Sequence, residues 1–281
     1  MESLNDTKIK ELKITANNIR ISIINMLFTA GSGHTAGSLG MADIFTLLYF
    51  HSLKHEPREP LWVNRDRLVL SNGHICPVLY ATMAHAGYFP ISELNSLRKF
   101  GSKLQGHPHR EYMPWLENSS GPLGLGLSQA VGMAIADKIY GGHKTIYALL
   151  SDGEHDEGNT WEAIMLAAKE KLSNLIVIVD RNNIQISGNT ERVLPLGNLQ
   201  EKYKTFGWFT QEINGHDFRE INNAIHNAKI NKGLPSVIIA NTIPGKGVKE
   251  WENDYKWHGI APNKNQMEMA LEELKIIRNN I

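Results

Sequence analysis

Side chains with oxygen atoms follow two stretches of the sequence that have the character of buried strands. Asp152 comes shortly after the apolar residues 145–150, and Asn182 follows residues 175–179, a run of Leu, Ile and Val. Apolar runs of this kind are typical of parallel strands, which are buried on both faces. Because ligands in open α/β sheets bind at the carboxyl ends of the strands, we expect Asp152 and Asn182 to converge on one site.

The chemistry of such a site is set by its donor atoms. A carboxylate, a side-chain amide and a backbone carbonyl form a set of oxygen ligands that suits Mg²⁺ or Ca²⁺, and its low charge requires phosphate oxygens as well. Gly153 permits close approach of an anion, and the N-terminus of the following helix adds partial positive charge. The local prediction is a diphosphate bound through a divalent ion. Alternatively, each polar segment is only a turn.

The segment between the two strands is predicted to be a helix over residues 157–171, which completes a βαβ unit. Its apolar stripe is formed by Trp161, Ile164, Met165 and Ala168. Further strands are predicted over residues 67–70, 210–213 and 235–240, and further helices over residues 6–29, 42–51, 92–100, 126–139, 201–206, 218–229 and 265–278. We therefore predict an α/β fold with a doubly wound, mostly parallel sheet flanked by helices.

Several histidines stand in short segments shaped by glycine or proline. His34 belongs to GHTAGSLGMAD, residues 33–43, which we expect to be too rich in small residues to pack as core. His74 ends the segment SNGH after a predicted strand, His107 precedes a proline that favours extended backbone, and His258 lies in Trp-His-Gly. The alternatives are a surface position for His34 and a helix N-cap in place of an SNGH site.

Two glycine-containing segments differ from the common nucleotide-binding loops. GPLG, from Gly121 to Gly124, opens a predicted helix, but no G-x-G-x-x-G follows a clear strand. TIPGKG, residues 242–247, lacks the first glycine and the final Ser or Thr of a Walker loop. The helix after GPLG is rich in Ala, Gly and Met, which suits close packing against another subunit.

Taken in order, these segments resemble the transketolase family, and most closely its N-terminal, diphosphate-binding half. SDG, EGNTWEA and DRNNIQISG are similar to the family's thiamine-diphosphate motif, which begins with GDG and ends near a pair of asparagines. GHTAGSLGMAD, SNGH, GHP and GPLG are similar to its other motifs, so the resemblance covers about residues 33–259. The sequence departs from the family pattern at Ser151, where Gly is usual, and at Thr35, Ala36 and Ser38.

The resemblance implies a role for each matching position. The implied metal ligands are the carboxylate of Asp152, the amide of Asn182 and the carbonyl of Ile184. The implied cofactor-binding residues are His74, Gly121, Leu123, Asp152, Gly153, Glu157, Glu162, Asn182, Ile186 and His258. The implied catalytic residues are His34, His107, His258 and Glu157. Glu157 and Glu162 match family glutamates of a carboxylate network at the partner-domain interface, and Ile186 matches the residue beside the thiazolium.

The resemblance also implies a fold, a function and a partner. We expect residues 1–281 to form one thiamine-diphosphate-binding (PP) domain, with the family's pyrimidine-binding and C-terminal domains on a partner chain, in an α2β2 heterotetramer. The implied function is transfer of a two-carbon ketol unit from a ketose or its phosphate to an aldose or its phosphate. It requires thiamine diphosphate, Mg²⁺ or Ca²⁺, and the partner, because the activating glutamate belongs to the pyrimidine-binding domain.

Other functions are compatible with parts of the pattern. A 2-oxo acid dehydrogenase or decarboxylase component, or a deoxyxylulose-phosphate synthase, shares the diphosphate motif but lacks this combination of histidine segments. A non-catalytic subunit that binds the cofactor or a partner is the alternative from a different class. The retained His34, His74, His107 and His258 argue against it.

Composition narrows the classes of partner. The formal net charge is zero, with 29 basic and 29 acidic residues, which argues against nucleic acid or an anionic membrane as the main partner. The single Cys76 excludes internal disulfides and suits a reducing compartment. We expect no signal peptide in the polar residues 1–13, and no apolar run approaches the roughly twenty residues of a membrane span. We therefore expect a soluble, cytoplasmic protein.

Overall fold

The structure, a computed structural model, describes residues 4–281, and residues 1–3 of the predicted domain lie outside the described residues. Its strands are β1 (Arg67–Leu70), β2 (Ile146–Ser151), β3 (Leu175–Arg181), β4 (Ile184–Gln185), β5 (Gly188–Asn189), β6 (Phe209–Asn214) and β7 (Ser236–Asn241). Within the described range, five of them form one sheet in the order β1-β2-β3-β7-β6, and every neighbouring pair is parallel. β4 and β5 form a separate antiparallel hairpin.

Helices cover both faces of the sheet. They are α1 (Asp6–Ala30), α2 (Ala36–Gly40), α3 (Ala42–Leu47), α4 (Cys76–His85), α5 (Leu125–Ile139), α6 (Gly158–Lys169), α7 (Thr190–Val193), α8 (Leu199–Thr205), α9 (Phe218–Ile230) and α10 (Lys264–Asn279). Buried residues of α1, α3, α4, α9 and α10 share one core with Ile176 and Ile178 of β3, and those of α5, α6 and α8 share a second core with Val177 and Val179. Alternate side chains of the strand thus enter opposite cores. The predicted doubly wound α/β fold is confirmed.

The βαβ unit formed by β2, α6 and β3 positions the ends of two adjacent strands. β2 and β3 are parallel neighbours, and Ser151 is paired with Asp180 in their register. The residues that follow these two therefore leave the sheet side by side, as the sequence predicts for Asp152 and Asn182. One part of the helix prediction is wrong: Met165, expected on the buried stripe, is 51% exposed, because α6 buries Thr160, Ala163, Ile164 and Ala167 instead.

The segment of residues 33–43 differs from its prediction. The sequence predicts a segment too rich in small residues to pack as core, yet all residues of α2 are buried. Small side chains are needed here because neighbouring elements come close. A Cβ atom on Gly37 would lie 2.8 Å from Cγ2 of Ile75, and one on Gly40 would lie 3.0 Å from the carbonyl oxygen of Ile243. The segment is therefore a tightly packed connection that follows the end of α1 at Gly31 and carries His34.

The helix predicted over residues 92–100 is also shorter than expected. Only a 3₁₀ turn, Ile91–Ser96, forms there. The chain leaves the helical conformation at Leu97, whose ψ is 128°, and Arg98 then adopts a φ of 59° in the left-handed region. None of the helices in residues 4–281 is long and apolar enough to cross a membrane.

Candidate active site

A cavity of about 410 Å³ lies where the loops following β1, β2 and β3 meet. The predicted site residues that line it are His34, His74, His107, Gly121, Leu123, Gly153, Glu157, Asn182, Ile184, Ile186 and His258. Asp152 and Glu162 are not part of the lining. Asp152 is fully buried, and Glu162 is exposed on α6. Another groove, of about 470 Å³, lies between α1 and residues 91–95 and contains none of the predicted site residues.

The imidazoles of His34, His74, His107 and His258 form a group that we call the histidine cluster. The ring centre of His34 lies 5.1 Å from that of His74, 6.4 Å from that of His107 and 5.5 Å from that of His258. His74 and His258 are 5.2 Å apart. The structure therefore brings together four residues that stand far apart in the sequence.

The His107 loop is anchored to α4, the helix that follows His74. The thiol of Cys76 donates a hydrogen bond to the carbonyl oxygen of Gly106 (3.2 Å), and the hydroxyl of Tyr80 donates to that of Gln105 (3.0 Å). Burial raises the pKa of the Cys76 thiol to about 12, so it remains protonated as a donor. These bonds fix the backbone immediately before His107 relative to His74.

The His34 segment is bound to the segment between β7 and α10, which contains His258. The amide of Gly245 donates to the carbonyl oxygen of Ala36 (2.9 Å), and the hydroxyl of Thr35 donates to that of Ile260 (2.5 Å). A Cβ atom on Gly259 would lie 3.7 Å from Nε2 of His34, so the residue after His258 packs against that ring. The two segments are thus held in direct contact.

A buried ionic group reinforces this connection. Arg20 donates to both carboxylate oxygens of Asp43 (3.1 and 2.6 Å), and Nδ1 of His216 lies 2.7 Å from the same carboxylate. The amide of Ile243 donates to Nε2 of His216 (2.8 Å), so Nδ1 carries the proton and donates to Asp43. Burial alone would raise the pKa of Asp43, but Arg20 and His216 lower it to about 2. The group joins α1, α3 and the loop after β7.

The pKa values of the cluster are all lowered, chiefly by burial. Burial, followed by the nearby His258, Arg98 and His107, lowers the pKa of His34 to about 4. Burial and the neighbouring histidines lower the pKa of His74 well below its usual range. The pKa of His258 is lowered by burial, and that of His107 by burial and Arg98. The imidazoles are therefore neutral near pH 7, and each can accept a proton or donate one N–H group.

Asp152 directly follows β2, between the lining residues Ser151 and Gly153, and is itself buried beneath the cavity surface. It accepts hydrogen bonds from the amides of Gly153 (2.8 Å) and Asn183 (2.7 Å) and from Nη1 of Arg181 (3.2 Å). Asn183 adopts a φ of 61°, a conformation that asparagine tolerates better than most residues. Burial raises the pKa of Asp152 to about 6, although Arg181 opposes it.

Asn182 is oriented by a second buried carboxylate. Its Nδ2 donates to Asp180 (2.7 Å), while its Oδ1 accepts from the amide of Ile184 (3.0 Å). The hydroxyl of Thr242, after β7, donates to the other oxygen of Asp180. Burial raises the pKa of Asp180 to about 7, and the Thr242 bond opposes this. The amide of Asn182 is thus held with its oxygen on the side away from Asp180.

Glu154 is a central residue of the site that sequence reasoning missed. It is fully buried and accepts from the amides of Gly124 (2.7 Å) and Ser151 (3.0 Å) and from the hydroxyl of Ser71. It therefore joins the SNGH, GPLG and SDG segments. The only signal in the sequence was its position directly after SDG. That signal is weak, because an acidic residue in a turn is normally solvated. Arg181, which bridges Asp152 and Glu191, was also missed, because a charged residue at the end of a strand is normally solvated.

The cavity fits a flat, partly apolar cofactor with a diphosphate group. Ile186 is 73% exposed at the cavity wall and, with Leu123, provides an apolar surface next to the polar strand ends. Gly121 leaves the face of His107 open, since a Cβ atom there would lie 3.9 Å from that ring. Nδ1 of His34, which lines the cavity, is buried without a hydrogen-bond partner in the described part of the chain. Such an atom is available for a ligand.

Comparison with known proteins identifies the family. The family model described as "Transketolase, thiamine diphosphate binding domain" matches residues 12–276. The 6-deoxy-6-sulfo-D-fructose transketolase subunit SqwG of Clostridium sp. (strain MSTE9) is 40% identical over 94% of this chain and 96% of its own length. An apulose-4-phosphate transketolase subunit of Actinobacillus succinogenes is 40% identical over 94% of this chain and 95% of its own.

Solved structures agree with this result. The crystal structure of transketolase from Campylobacter jejuni superposes with a TM-score of 0.90 and 37% identity, over 97% of this chain. The chain spans only 43% of that enzyme's length. It is therefore similar to a part of a longer transketolase and to nearly the whole of the two subunits above. The chain belongs to the transketolase family, and it corresponds to that family's thiamine-diphosphate-binding domain.

Proposed function

We propose that this chain is the thiamine-diphosphate-binding subunit of a split transketolase, which transfers a two-carbon ketol unit between sugars or sugar phosphates. The observation that carries the proposal is the cavity in which the histidine cluster faces the ends of β2 and β3. Two relatives that match over nearly their whole length are named as transketolase subunits, which supports the split arrangement. We propose a single PP-type domain for residues 1–281 and retain the prediction of a cytoplasmic location.

The histidine cluster supplies the proton transfers in this proposal. When bound, thiamine diphosphate supplies an electron sink for cleavage and formation of the carbon–carbon bond. His34, His107 and His258 are neutral near pH 7, so they can accept a proton from a substrate hydroxyl or donate an N–H group to a carbonyl oxygen. We assign His74 to the cofactor diphosphate, together with His258. Gly121, Leu123 and Ile186 would provide the surface for the rings of the cofactor.

We further propose that Asp152, Asn182 and the carbonyl of Ile184 bind Mg²⁺, or Ca²⁺ in its place. Within residues 4–281 no group of three or more His, Cys, Asp or Glu side chains is arranged for a metal ion. The proposed set has one carboxylate, one amide and one carbonyl, and it would require diphosphate oxygens to complete the coordination. Release of Asp152 from Arg181 would accompany binding of the ion.

An exposed surface on α5 and α6 is proposed to bind the partner protein. Leu125, Met165 and Leu166 are 44%, 51% and 44% exposed, and Glu162 is exposed on the same helix as the last two. Exposed apolar side chains suit the core of a protein interface, and an exposed carboxylate suits its polar rim. We propose that the partner carries the pyrimidine-binding and C-terminal domains, that it completes the carboxylate network of Glu157 and Glu162, and that the assembly is α2β2.

The proposal is tested by native mass spectrometry of the complex purified from its own host, followed by a ketol-transfer assay. We expect a complex with a second protein chain, thiamine diphosphate and a divalent ion, with activity only when both chains are present. A lone chain that binds neither cofactor nor partner would refute the proposal. Cofactor binding without any transfer would favour a non-catalytic binding protein.

The assignment of His34 has its own test. In the active complex, His34→Ala is expected to lower kcat/KM about a hundredfold or more, because the variant lacks the proton-transferring group. Cofactor affinity should change by only a few-fold, since the diphosphate is held elsewhere. Full transfer activity in His34→Ala would refute the catalytic role.

A further inference from the structure

Arg98 lies between the two loops that present His34 and His107. Its Nη1 donates to the hydroxyl of Ser32 and its Nη2 donates to the carbonyl oxygen of Gly106, each at a distance of 3.4 Å. A Cβ atom on Gly106 would lie 2.8 Å from Nε of Arg98, and one on Gly33 would lie 4.0 Å from it. Gly33 and Gly106 each directly precede a histidine of the cluster. The guanidinium thus packs against the backbone of both loops next to those two histidines.

The backbone around Arg98 is arranged for this position. Arg98 has a φ of 59°, which a residue with a side chain adopts only at a cost. Its amide donates to the carbonyl oxygen of Leu104 (2.9 Å), and the amide of Leu104 donates to the hydroxyl of Ser102 (3.1 Å). Leu97 and Leu104 are buried on either side of this turn. The unfavourable conformation is therefore maintained by packing, and it directs the arginine to the two loops.

The charge of Arg98 acts on the cluster. No carboxylate within residues 4–281 forms an ion pair with it, so its charge is not neutralised by a partner in this part of the chain. The groups that lower the pKa of His34, after burial, are His258, Arg98 and His107, while Arg98 is the one that lowers the pKa of His107 after burial. A nearby cation disfavours the imidazolium form.

We propose that Arg98 is a positioning residue, which ties the His34 loop to the His107 loop and sets the electrostatic environment of both imidazoles. The fork of the guanidinium is needed for the first role, because it reaches two acceptors at once. Its positive charge is needed for the second. The two roles are separable by substitution, since lysine keeps the charge without the fork, and glutamine keeps polarity without the charge.

The first test is an NMR titration of the imidazoles in the full chain, comparing wild type with Arg98→Gln, Arg98→Lys and Lys99→Gln. In Arg98→Gln we expect the titration midpoints of His34 and His107 to rise by about half a pH unit, because the cation that opposes protonation is gone. Arg98→Lys should leave both midpoints near the wild-type values. Lys99→Gln is the matched control, because it removes an exposed cation one position away, and it should change neither midpoint.

The second test separates positioning from folding. Arg98→Gly removes the guanidinium but accommodates the positive φ without strain, so the melting temperature should not fall. In the complex with partner and cofactor, Arg98→Gly and Arg98→Lys should each lower kcat/KM about tenfold, because neither can bond both loops. Only Arg98→Gly should also move the acidic limb of the pH–rate profile to higher pH.

Two outcomes would overturn the proposal: unchanged midpoints in Arg98→Gln, or an equal rise in Lys99→Gln. The kinetic test rests on the proposed transketolase function, whereas the titration does not. If the wild-type complex had no transfer activity but Arg98→Gln still raised the midpoints, the proposed function would be refuted. The role of Arg98 would still be supported.

Discussion

The two sides of the cavity are built in different ways. The acidic side consists of Asp152, Glu154, Asp180 and Asn182, which all belong to one βαβ unit and lie at the ends of two paired strands. The histidine cluster comes from separate loops, each held by contacts with distant parts of the chain. The acidic side is therefore determined by a local unit, whereas the cluster depends on the whole fold.

Burial affects the protonation of the two sides in opposite directions. It raises the pKa of Asp152 to about 6 and that of Asp180 to about 7, but it is the main cause that lowers the pKa of His34 to about 4. In each case the charged form is disfavoured. A cation bound at the acidic side, as proposed above, would compensate the buried carboxylates, while the neutral imidazoles of the cluster would be available for proton transfer.

The largest effect is expected for Asp152→Asn, because it removes the single carboxylate of the proposed metal site. Affinity for thiamine diphosphate in the presence of Mg²⁺ should fall about a hundredfold or more, measured by isothermal titration calorimetry. His107→Gln, on the other side of the cavity, should bind the cofactor within a few-fold of wild type. Equal losses in these two variants would contradict the division of roles. Glu250→Gln, an exposed change of the same charge, serves as the control.

The next effect concerns stability. Glu154→Gln places an amide where three donors converge, so at least one buried donor loses its acceptor. We expect the free energy of unfolding, measured by urea denaturation, to fall by about 3 kcal/mol. His74→Gln should cost less, because the described part of the chain gives its ring no such set of three bonds. A Glu154→Gln protein as stable as wild type would show that the acidic side does not depend on this residue.

A smaller effect is expected from the ionic group behind the cluster. His216→Asn keeps a donor near Asp43, and His216→Gln keeps an acceptor near the amide of Ile243, so each variant loses one of the two bonds. Each should lower kcat/KM about tenfold through displacement of His34 relative to His258, with the melting temperature within a few degrees. His85→Gln, which breaks only a contact with Ser22, is the control. Unchanged kinetics in both variants would mean that long-range contacts do not position the cluster.

The smallest effect is on the pH dependence of stability. The pKa of His34 is about 4 in the folded protein, whereas an unperturbed histidine has a pKa of 6.5. The unfolded chain therefore binds more protons between these two pH values. The contribution of neutral His34 to the free energy of unfolding is complete above pH 6.5 and is lost as the pH falls towards 4. When the pH is lowered from 6.5 to 4.5, the melting temperature of His34→Gln should therefore fall by a few degrees less than that of wild type. An identical pH dependence in both proteins would indicate that His34 is not buried as described.

The sequence was sufficient for the features that depend on neighbouring residues. Apolar runs predict β2 and β3, and the position of Asp152 and Asn182 after those strands predicts their convergence, because parallel strands end at one edge of a sheet. The likeness of short motifs to transketolases predicts the histidines of the site. The cavity contains them all.

Other features were decided only by the tertiary structure. The sequence predicts that residues 33–43 are not core, but α2 is buried, because its small residues allow close approach of Ile75 and Ile243. Glu154 is an acidic residue in a turn, a position that is normally solvated. It is buried here only because three segments bring hydrogen-bond donors to it. Arg98 contacts both histidine loops through a backbone conformation that no periodicity predicts. Local pattern determines which elements form, whereas the burial of a polar group depends on which distant elements meet around it.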